Sequence, residues 1–395
     1  MSIKAMDILS AISSKIEWRL RPLLLSRPSQ LKPTGHLEWP IIVVGFFSTA
    51  SGVGQSARMC RRGLHESGID AGAIDLSPHF GQADMEVSIK SEGLPSTEHG
   101  TLIIHVNPPE FERALFLIRF YRRKGWRVIG FWVWELPTLP KEWSRVARYV
   151  SEIWTPSEFV TDVFKTVFAC PVKTVPHAIY LPEKEVLPDS EEQDQRVSFL
   201  ALADGRSSLA RKGVLEAVEV FQAAFPKGAS HKLTVKCRNL DFASARAMRL
   251  RELIEKDNRI TLVEASLSAK EQWRLLERHD VILSLHRSEG FGLVLAEAMA
   301  LGKVVIATGW SGNMTFMTAE NSIPLPFILE AVEDDAGIYS KAGGAKWAKP
   351  DMEAAILASQ RVANDPALRQ QLGERARQDL RDLNGKAYSD ALRAC

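Results

Sequence analysis

Glu289 and Glu297 bracket the run Glu289-Gly290-Phe291-Gly292-Leu293-Val294-Leu295-Ala296-Glu297. A carboxylate accepts hydrogen bonds from vicinal hydroxyls, so this pair suits one diol on a sugar and one on a ribose. Asp280 to His286 reads as a buried strand, and Leu293 to Leu301 has the apolar spacing of a helix. Glu289 is therefore expected on a strand-to-helix loop and Glu297 about one turn into the helix. Gly290 and Gly292 let the backbone turn tightly and aim N–H groups at a ligand. A helix N-terminus at that point favours phosphate oxygens. Together these are the chemistry of a nucleotide-sugar site. A lone Glu-x7-Glu serves equally as a helix cap plus a solvated face residue, so the motif needs its context.

That context is the contiguous stretch His286-Arg-Ser-Glu-Gly-Phe-Gly-Leu-Val-Leu-Ala-Glu-Ala-Met-Ala-Leu-Gly-Lys-Val-Val-Ile-Ala-Thr-Gly-Trp-Ser-Gly-Asn313. It resembles the donor-site segment of retaining glycosyltransferase family 4, whose members have the two-domain GT-B fold. The resemblance implies donor contacts from Gly52, Gly54, Arg206, Lys212, Glu289, Gly290, Phe291, Gly292, Leu293 and Glu297. It places an Arg and a Lys, here Arg206 and Lys212, on the donor diphosphate, with Arg211 the neighbouring candidate if the register differs. Fixed cations there stabilise the charge that builds on a departing nucleoside diphosphate. It also brings His105 to the cleft, although a histidine at a strand end is as readily structural. Most of the family carries a cleft histidine where this chain has Trp134-Glu135, so Glu135 is the candidate to take over contacts near the reacting carbon. The stretches Gly130 to Trp143 and Glu152 to Phe159 resemble a bacterial subset linked to surface polysaccharides. Trp132 and Trp134 are either core or aromatic walls for sugar stacking. The catalytic set implied is Arg206, Lys212, Glu289, Glu135 and His105.

The loop Ser48-Thr-Ala-Ser-Gly52-Val-Gly54-Gln-Ser-Ala57-Arg58 also fits G-x-G-x-x-A, with Asp75 downstream. That is a dinucleotide fingerprint and supports a rival reading as an NAD-dependent oxidoreductase. Ser48 to Ser51 intervene between strand and glycine, which weakens it. No D-x-D triplet occurs, so the expectation is metal-independent transfer without a cofactor, with GDP-mannose or a UDP-hexose as co-substrate.

Positioning these residues requires two α/β units. Strand-like runs alternate with helical segments from Trp39 onward, which implies doubly wound parallel sheets. Strands are expected at 41–47, 71–75, 101–106, 128–134, 152–154 and 172–176, then at 197–202, 232–236, 260–263, 281–285 and 303–307. The acidic, proline-containing stretch Leu181 to Asp194 reads as a linker. The division is an N-terminal segment 1–38, an acceptor-side Rossmann-like domain 39–182, a linker 183–195, a nucleotide-sugar domain 196–351 and helices 352–395. The resemblance has those helices crossing back onto the first domain.

At 395 residues the chain has room for about two domains, each with its own core. A formal charge of +2 argues against a dedicated nucleic-acid binder. Cys60, Cys170, Cys237 and Cys395 show no paired spacing and look like reduced thiols of a cytoplasmic protein. Residues 1–28 carry apolar positions at helical spacing among basic ones. This is either an interfacial helix on an anionic bilayer or a helix packed on the protein. A basic helix from Arg113 to Lys124 either faces a lipid-linked acceptor or is simply solvated.

The expectation is transfer of a hexose, mannose favoured, to a saccharide or lipid-linked acceptor with retention. The partners are then the donor, that acceptor and the inner face of the cytoplasmic membrane. A nucleotide-sugar epimerase and an inactive GT-B scaffold are the alternatives of the same fold.

Overall fold

The computed structural model describes residues 25, 37–85, 89–120, 125–181, 196–241, 244–334 and 337–388. The first sheet comprises β1 (Ile41–Gly45), β2 (Gly72–Asp75), β3 (His99–His105), β4 (Gly125–Phe131), β5 (Glu152–Thr155) and β6 (Val172–Thr174), in the order β2-β1-β3-β4-β5-β6. Every pair in it is parallel. Ile41 to Val44 and Leu102 to Ile104 are buried on both faces, which is why these strands read as continuous apolar runs. Helices α1 (Gly52–Glu66), α2 (Pro108–Leu117) and α3 (Glu158–Lys165) connect them.

The second sheet is also six-stranded and parallel, in the order β12-β11-β10-β7-β8-β9. Its strands are β7 (Ser198–Asp204), β8 (Lys232–Arg238), β9 (Ile260–Val263), β10 (Val281–Ser284), β11 (Val304–Thr308) and β12 (Ile323–Leu325). The single turn α4 (Leu209–Lys212) precedes α5 (Val214–Ala224), followed by α6 (Ala245–Glu255), α7 (Ala269–Glu277) and α8 (Leu293–Ala300). Phe199, Val235, Val281 and Ile306 pack against Val218 and Phe221 on one face. Leu200, Ile282 and Val305 pack against Met299, Ala376 and Leu380 on the other.

Strand order reverses between β1 and β3 in the first sheet and between β7 and β10 in the second. Ligands of open α/β sheets bind at such switch points, off the carboxyl ends of the strands. The loops there are Phe46 to Ser51, Gly205 to Gly213 and Leu285 to Gly292.

After β12 an antiparallel hairpin breaks the alternation: β13 (Phe327–Ala331) pairs with β14 (Lys346–Pro350). Sequence reading missed it, because Ile323-Pro-Leu-Pro-Phe327 interrupts any clean period-two pattern. The expected basic helix ends at Leu117, and Arg119 has φ 55°. Arg113 stacks on the Phe80 ring and donates to the His79 carbonyl, so it braces the first domain. Arg122, Arg123 and Lys124 lie outside the described residues, as do the linker 183–195 and most of the N-terminal segment. No described helix is long and apolar enough to cross a membrane.

Helices α9 (Met352–Asn364) and α10 (Pro366–Ala387) end the described chain, and the second returns to the first domain. Ala387 and Tyr388 join the core of Ile41, Val43, Cys60 and Leu64. Asn384 exchanges hydrogen bonds with Ile179, receiving from its N–H at 2.7 Å and donating to its carbonyl at 2.6 Å. Tyr388 lies so close to Gly63 that a Cβ there would meet its ring at 2.3 Å. Tyr388→Ala should therefore lower the unfolding free energy by about 3–5 kcal/mol, the usual cost of emptying a buried aromatic site. Urea unfolding monitored by circular dichroism checks this.

Candidate active site

The site grows from the loop after β10. Glu289 is held by its backbone first: its N–H donates to Ser311 Oγ at 2.8 Å, and its carbonyl accepts from Gly312 N–H at 2.9 Å. Gly312 sits against Gly290, where a Cβ would meet the Gly290 carbonyl oxygen at 2.2 Å. The loop of Trp310 to Asn313 is fixed in turn by Asn313, which donates to the Thr308 carbonyl and lies 3.1 Å from buried His286 Nε2.

The Glu289 carboxylate faces two cations from α4. Lys212 Nζ lies 2.5 Å and Arg211 Nη1 3.1 Å from its Oε1. Burial alone would push this carboxyl up, but Lys212 and Arg211 outweigh it and bring the pKa down to about 2. Glu289 is therefore ionised at any physiological pH. Arg211 is buried, donates to the Ser288 carbonyl at 2.7 Å and has its pKa raised, Tyr339, Glu289 and Glu135 together outweighing desolvation.

The sequence placed Arg206 and Lys212 on the donor diphosphate, with Arg211 as the neighbouring candidate; in the structure Lys212 and Arg211 share the Glu289 carboxylate. Asp204 accepts from the Arg206 N–H and Ser208 takes φ 64°, so the loop turns before α4 starts. That turn leaves Arg206 exposed, with no side-chain partner among the described residues, and sends Arg211 inward. Gly213, at φ 62°, ends the turn where a Cβ would strike the Leu285 carbonyl oxygen at 1.9 Å.

Glu297 lies in the first turn and a half of α8, only 5% exposed. Its one hydrogen bond among the described residues comes from Gln272 Nε2 at 3.3 Å. Burial dominates and raises its pKa to about 7.

The first domain presents the N-terminus of α1 to the same cleft. Ser51 caps α1 by accepting from Gly54 N–H at 3.1 Å. A Cβ on Gly52 would be 3.9 Å from Leu293 Cδ1, so the starts of α1 and α8 face each other. Gly54 is needed for close approach, because a Cβ would lie 2.5 Å from both the Phe46 and Thr49 carbonyl oxygens. Arg58 Nη1 donates to the Phe47 and Thr49 carbonyls at 2.6 and 3.0 Å and holds the loop. Asp75, the ribose ligand of a dinucleotide site, is occupied by Ser48 and Ser77. Those hydrogen bonds outweigh its burial and keep its pKa low.

Direct bonds tie the two domains at this cleft. Ser157 Oγ donates to the Gly290 carbonyl at 2.7 Å, and Ser288 Oγ donates to the Glu135 carbonyl. The Glu135 side chain is half-buried and its charge acts on Arg211. His105 is fully buried, 2.7 Å from Ser56 Oγ and stacked on Phe131 at 4.4 Å. Burial, aided by His177, lowers its pKa well below the usual range. It is a neutral ring that braces α1 behind the cleft. Phe291 is buried and packs edge-on to His177 at 5.0 Å. Trp132 is core, while Trp134 is partly buried and hydrogen-bonds the Thr138 carbonyl.

A family model described as family 4 glycosyltransferase in conflict systems matches residues 158–387. The chain belongs to that family. Among curated proteins, this family 4 chain is 29% identical over 165 residues to the GDP-mannose:cellobiosyl-diphosphopolyprenol alpha-mannosyltransferase of Xanthomonas campestris. The match covers 40% of this chain and 39% of that relative's length. Sucrose-phosphate synthase of Thermosynechococcus elongatus superposes with a TM-score of 0.60 at 17% identity, over 91% of this chain and all of that one. HepE of Anabaena, solved with UDP and glucose, gives 0.59 at 12% identity, over 89% and 98%. The two parallel sheets of this family 4 chain, with a terminal helix returning to the first, are the GT-B fold.

Glu297 yields a prediction from its burial. A carboxyl raised to about 7 in the folded protein favours the protonated state there. Its contribution to stability is least unfavourable below the ordinary carboxylate range and worsens as pH rises to about 7. Glu297→Gln removes that titration. It should approach the wild type below about pH 4 and exceed it by up to ~3 kcal/mol at pH 8. Denaturant titrations from about pH 4 to pH 8 check the widening gap.

Proposed function

We propose that this chain transfers a hexose from a nucleotide sugar to a saccharide or lipid-linked acceptor with retention at the anomeric carbon. The observation that carries the reading is the ionised, largely covered Glu289 (side chain 13% exposed) between Lys212 and Arg211, beside two facing helix N-termini. The helix starts and cations suit a diphosphate, and the fixed carboxylate suits sugar hydroxyls. Glu297, buried on α8 with Gln272 as partner, is our candidate for the ribose diol.

The donor is taken to be GDP-mannose, with a UDP-hexose second. Support for the first is the name of the Xanthomonas campestris relative, which carries GDP-mannose and a diphosphopolyprenol-linked acceptor. Support for the second is the UDP and glucose in the Anabaena HepE structure. A lipid-linked acceptor would place the reaction at the inner face of the cytoplasmic membrane.

In this reading the cleft works by charge and position. Lys212 releases part of its hold on Glu289 when the diphosphate arrives, and stabilises the charge developing on the leaving oxygen. Arg206, exposed at the edge of the same loop, is free to swing onto the diphosphate. Arg211 stays with Glu289 and keeps it ionised. The leaving phosphate oxygen accepts the acceptor proton as the new bond forms on the same face, which preserves configuration. The charge-stabilising work falls to Lys212, Arg206 and the N–H groups at Gly52 and Leu293, so no metal is invoked.

Incubating the protein with GDP-mannose or UDP-glucose should release nucleoside diphosphate, faster with a saccharide or polyprenyl-diphosphate-linked acceptor present. Absence of release with every hexose donor would refute the reading. Proton NMR of the first-formed product should show the anomeric configuration of the donor. Lys212→Ala should lower kcat by about 10²–10³, as for other preorganised charge contacts. A rate close to wild type in both Lys212→Ala and Arg206→Ala would remove these cations from the mechanism.

A further inference from the structure

The hairpin that sequence reading missed reaches across the cleft. Its connection between β13 and β14 carries Tyr339, whose ring lies edge-on to Trp134 of the first domain at 5.7 Å. Tyr339 shares an apolar cluster with Leu136, Ala210 and Trp347, so it is wedged between the Trp134–Leu136 segment and the residue preceding Arg211. Lys341 adds an exposed ion pair to Glu142 at 3.7 Å on the same side. The base of the hairpin is fixed by Arg287, which pairs with Glu330 and Glu216 and donates to the Ala210 carbonyl. The same arginine lies over the Trp347 ring.

Tyr339 is 5% exposed. Its hydroxyl is not among the buried polar atoms left without a partner, unlike that of Tyr388, and no side-chain hydrogen bond fixes it among the described residues. The ring packs beside Leu136 and Ala210, the chain neighbours of Glu135 and Arg211, and the charges of Arg211, Glu135, Glu289 and Asp334 act on its hydroxyl. Burial raises its pKa, so it stays a neutral donor throughout the physiological range. A ring held by Trp134 and Leu136 next to Ala210, whose neighbour Arg211 reaches Glu289 at 3.1 Å, carries a hydroxyl that is placed to serve a polar ligand of the same cleft.

We propose that Tyr339 is a specificity-determining residue, whose hydroxyl hydrogen-bonds a hydroxyl of the donor hexose held at Glu289. This rests on the glycosyltransferase reading and deepens it: the sugar end of the donor is read by a residue outside the Glu-x7-Glu segment. Tyr339 is thereby assigned to the sugar end and not to the nucleoside diphosphate end.

The test separates those two ends. Tyr339→Phe keeps the ring and its packing on Trp134 and removes only the hydroxyl. Calorimetry would compare wild type and variant for GDP-mannose and GDP, and for UDP-glucose and UDP. The variant should bind the nucleotide sugar about three- to tenfold more weakly, the range for losing one neutral hydrogen bond, and the free diphosphate unchanged. With deoxy donors, the analogue lacking the contacted hydroxyl should bind both proteins alike. An unchanged nucleotide-sugar affinity, or an equal loss for sugar and free diphosphate, overturns the role of Tyr339 and leaves the glycosyltransferase reading standing. Failure of the wild type to bind any nucleotide sugar overturns both. Thermal melts of the two proteins should coincide, and a lower variant melt with proportionate losses for every ligand counts against the proposal.

Discussion

A carboxylate largely shielded in the cleft, Glu289 at 13% exposure, has to remain charged, and much of the site's construction follows from that requirement. An unpaired buried charge costs several kcal/mol, so Glu289 demands cations at hydrogen-bonding distance. Lys212 and Arg211 supply them only because α4 is a single turn entered at Ser208 with positive φ and left at Gly213. Gly213 must be glycine to let that turn rest on the Leu285 carbonyl, and Gly312 must be glycine to rest on the Gly290 carbonyl. These backbone-on-backbone contacts fix the two loops that carry acid and base to one geometry. The arrangement exists before any ligand arrives, which is what electrostatic preorganisation requires.

The two glutamates of one motif sit in opposite environments. Glu289, surrounded by cations, is brought down to about 2, while Glu297, with Gln272 as its hydrogen-bond partner, rises to about 7. Environments that push paired carboxyls apart in this way assign them different work. Glu289 serves as a fixed charge. Glu297, with no cation facing it among the described residues, is left close to its point of ionisation.

Much of the fold was legible because its parallel strands are buried on both faces and leave apolar runs of four or more residues, such as Ile41 to Val44 and Val304 to Ala307. The Glu289 to Glu297 segment was legible because strand, loop and helix are contiguous. What escaped depended on geometry that no periodicity encodes. Arg206 and Arg211 are both basic residues on one loop, and only the turn at Ser208 decides which faces Glu289. His105 stands at a strand end as expected, yet it is sealed against Phe131 and Ser56. Tyr339 was invisible, because its position depends on a hairpin whose strands, Phe327–Ala331 and Lys346–Pro350, pack one buried tryptophan and otherwise expose Ile328 and Leu329.

The domains divide the work by charge. The cations and carboxylates that meet at the centre come chiefly from the second domain, while the first contributes a helix start, Trp134, Glu135 and a neutral wall. That wall is continuous: His105 stacks on Phe131, Phe131 on His177 at 5.2 Å, and His177 meets Phe291 from the other side. Burial lowers both histidines, to about 3 for His177, so the wall carries no charge to compete with Lys212 and Arg211. A cationic histidine there would repel those residues and weaken their grip on Glu289. Keeping the rings neutral by packing them between phenylalanines lets the first domain press against the charged loops without perturbing them. The bonds from Ser157 to Gly290 and from Ser288 to Glu135 then register one domain on the other through backbone carbonyls. Position is set by neutral groups and chemistry by charged ones, so relative movement of the domains would alter reach without altering the ionisation of Glu289.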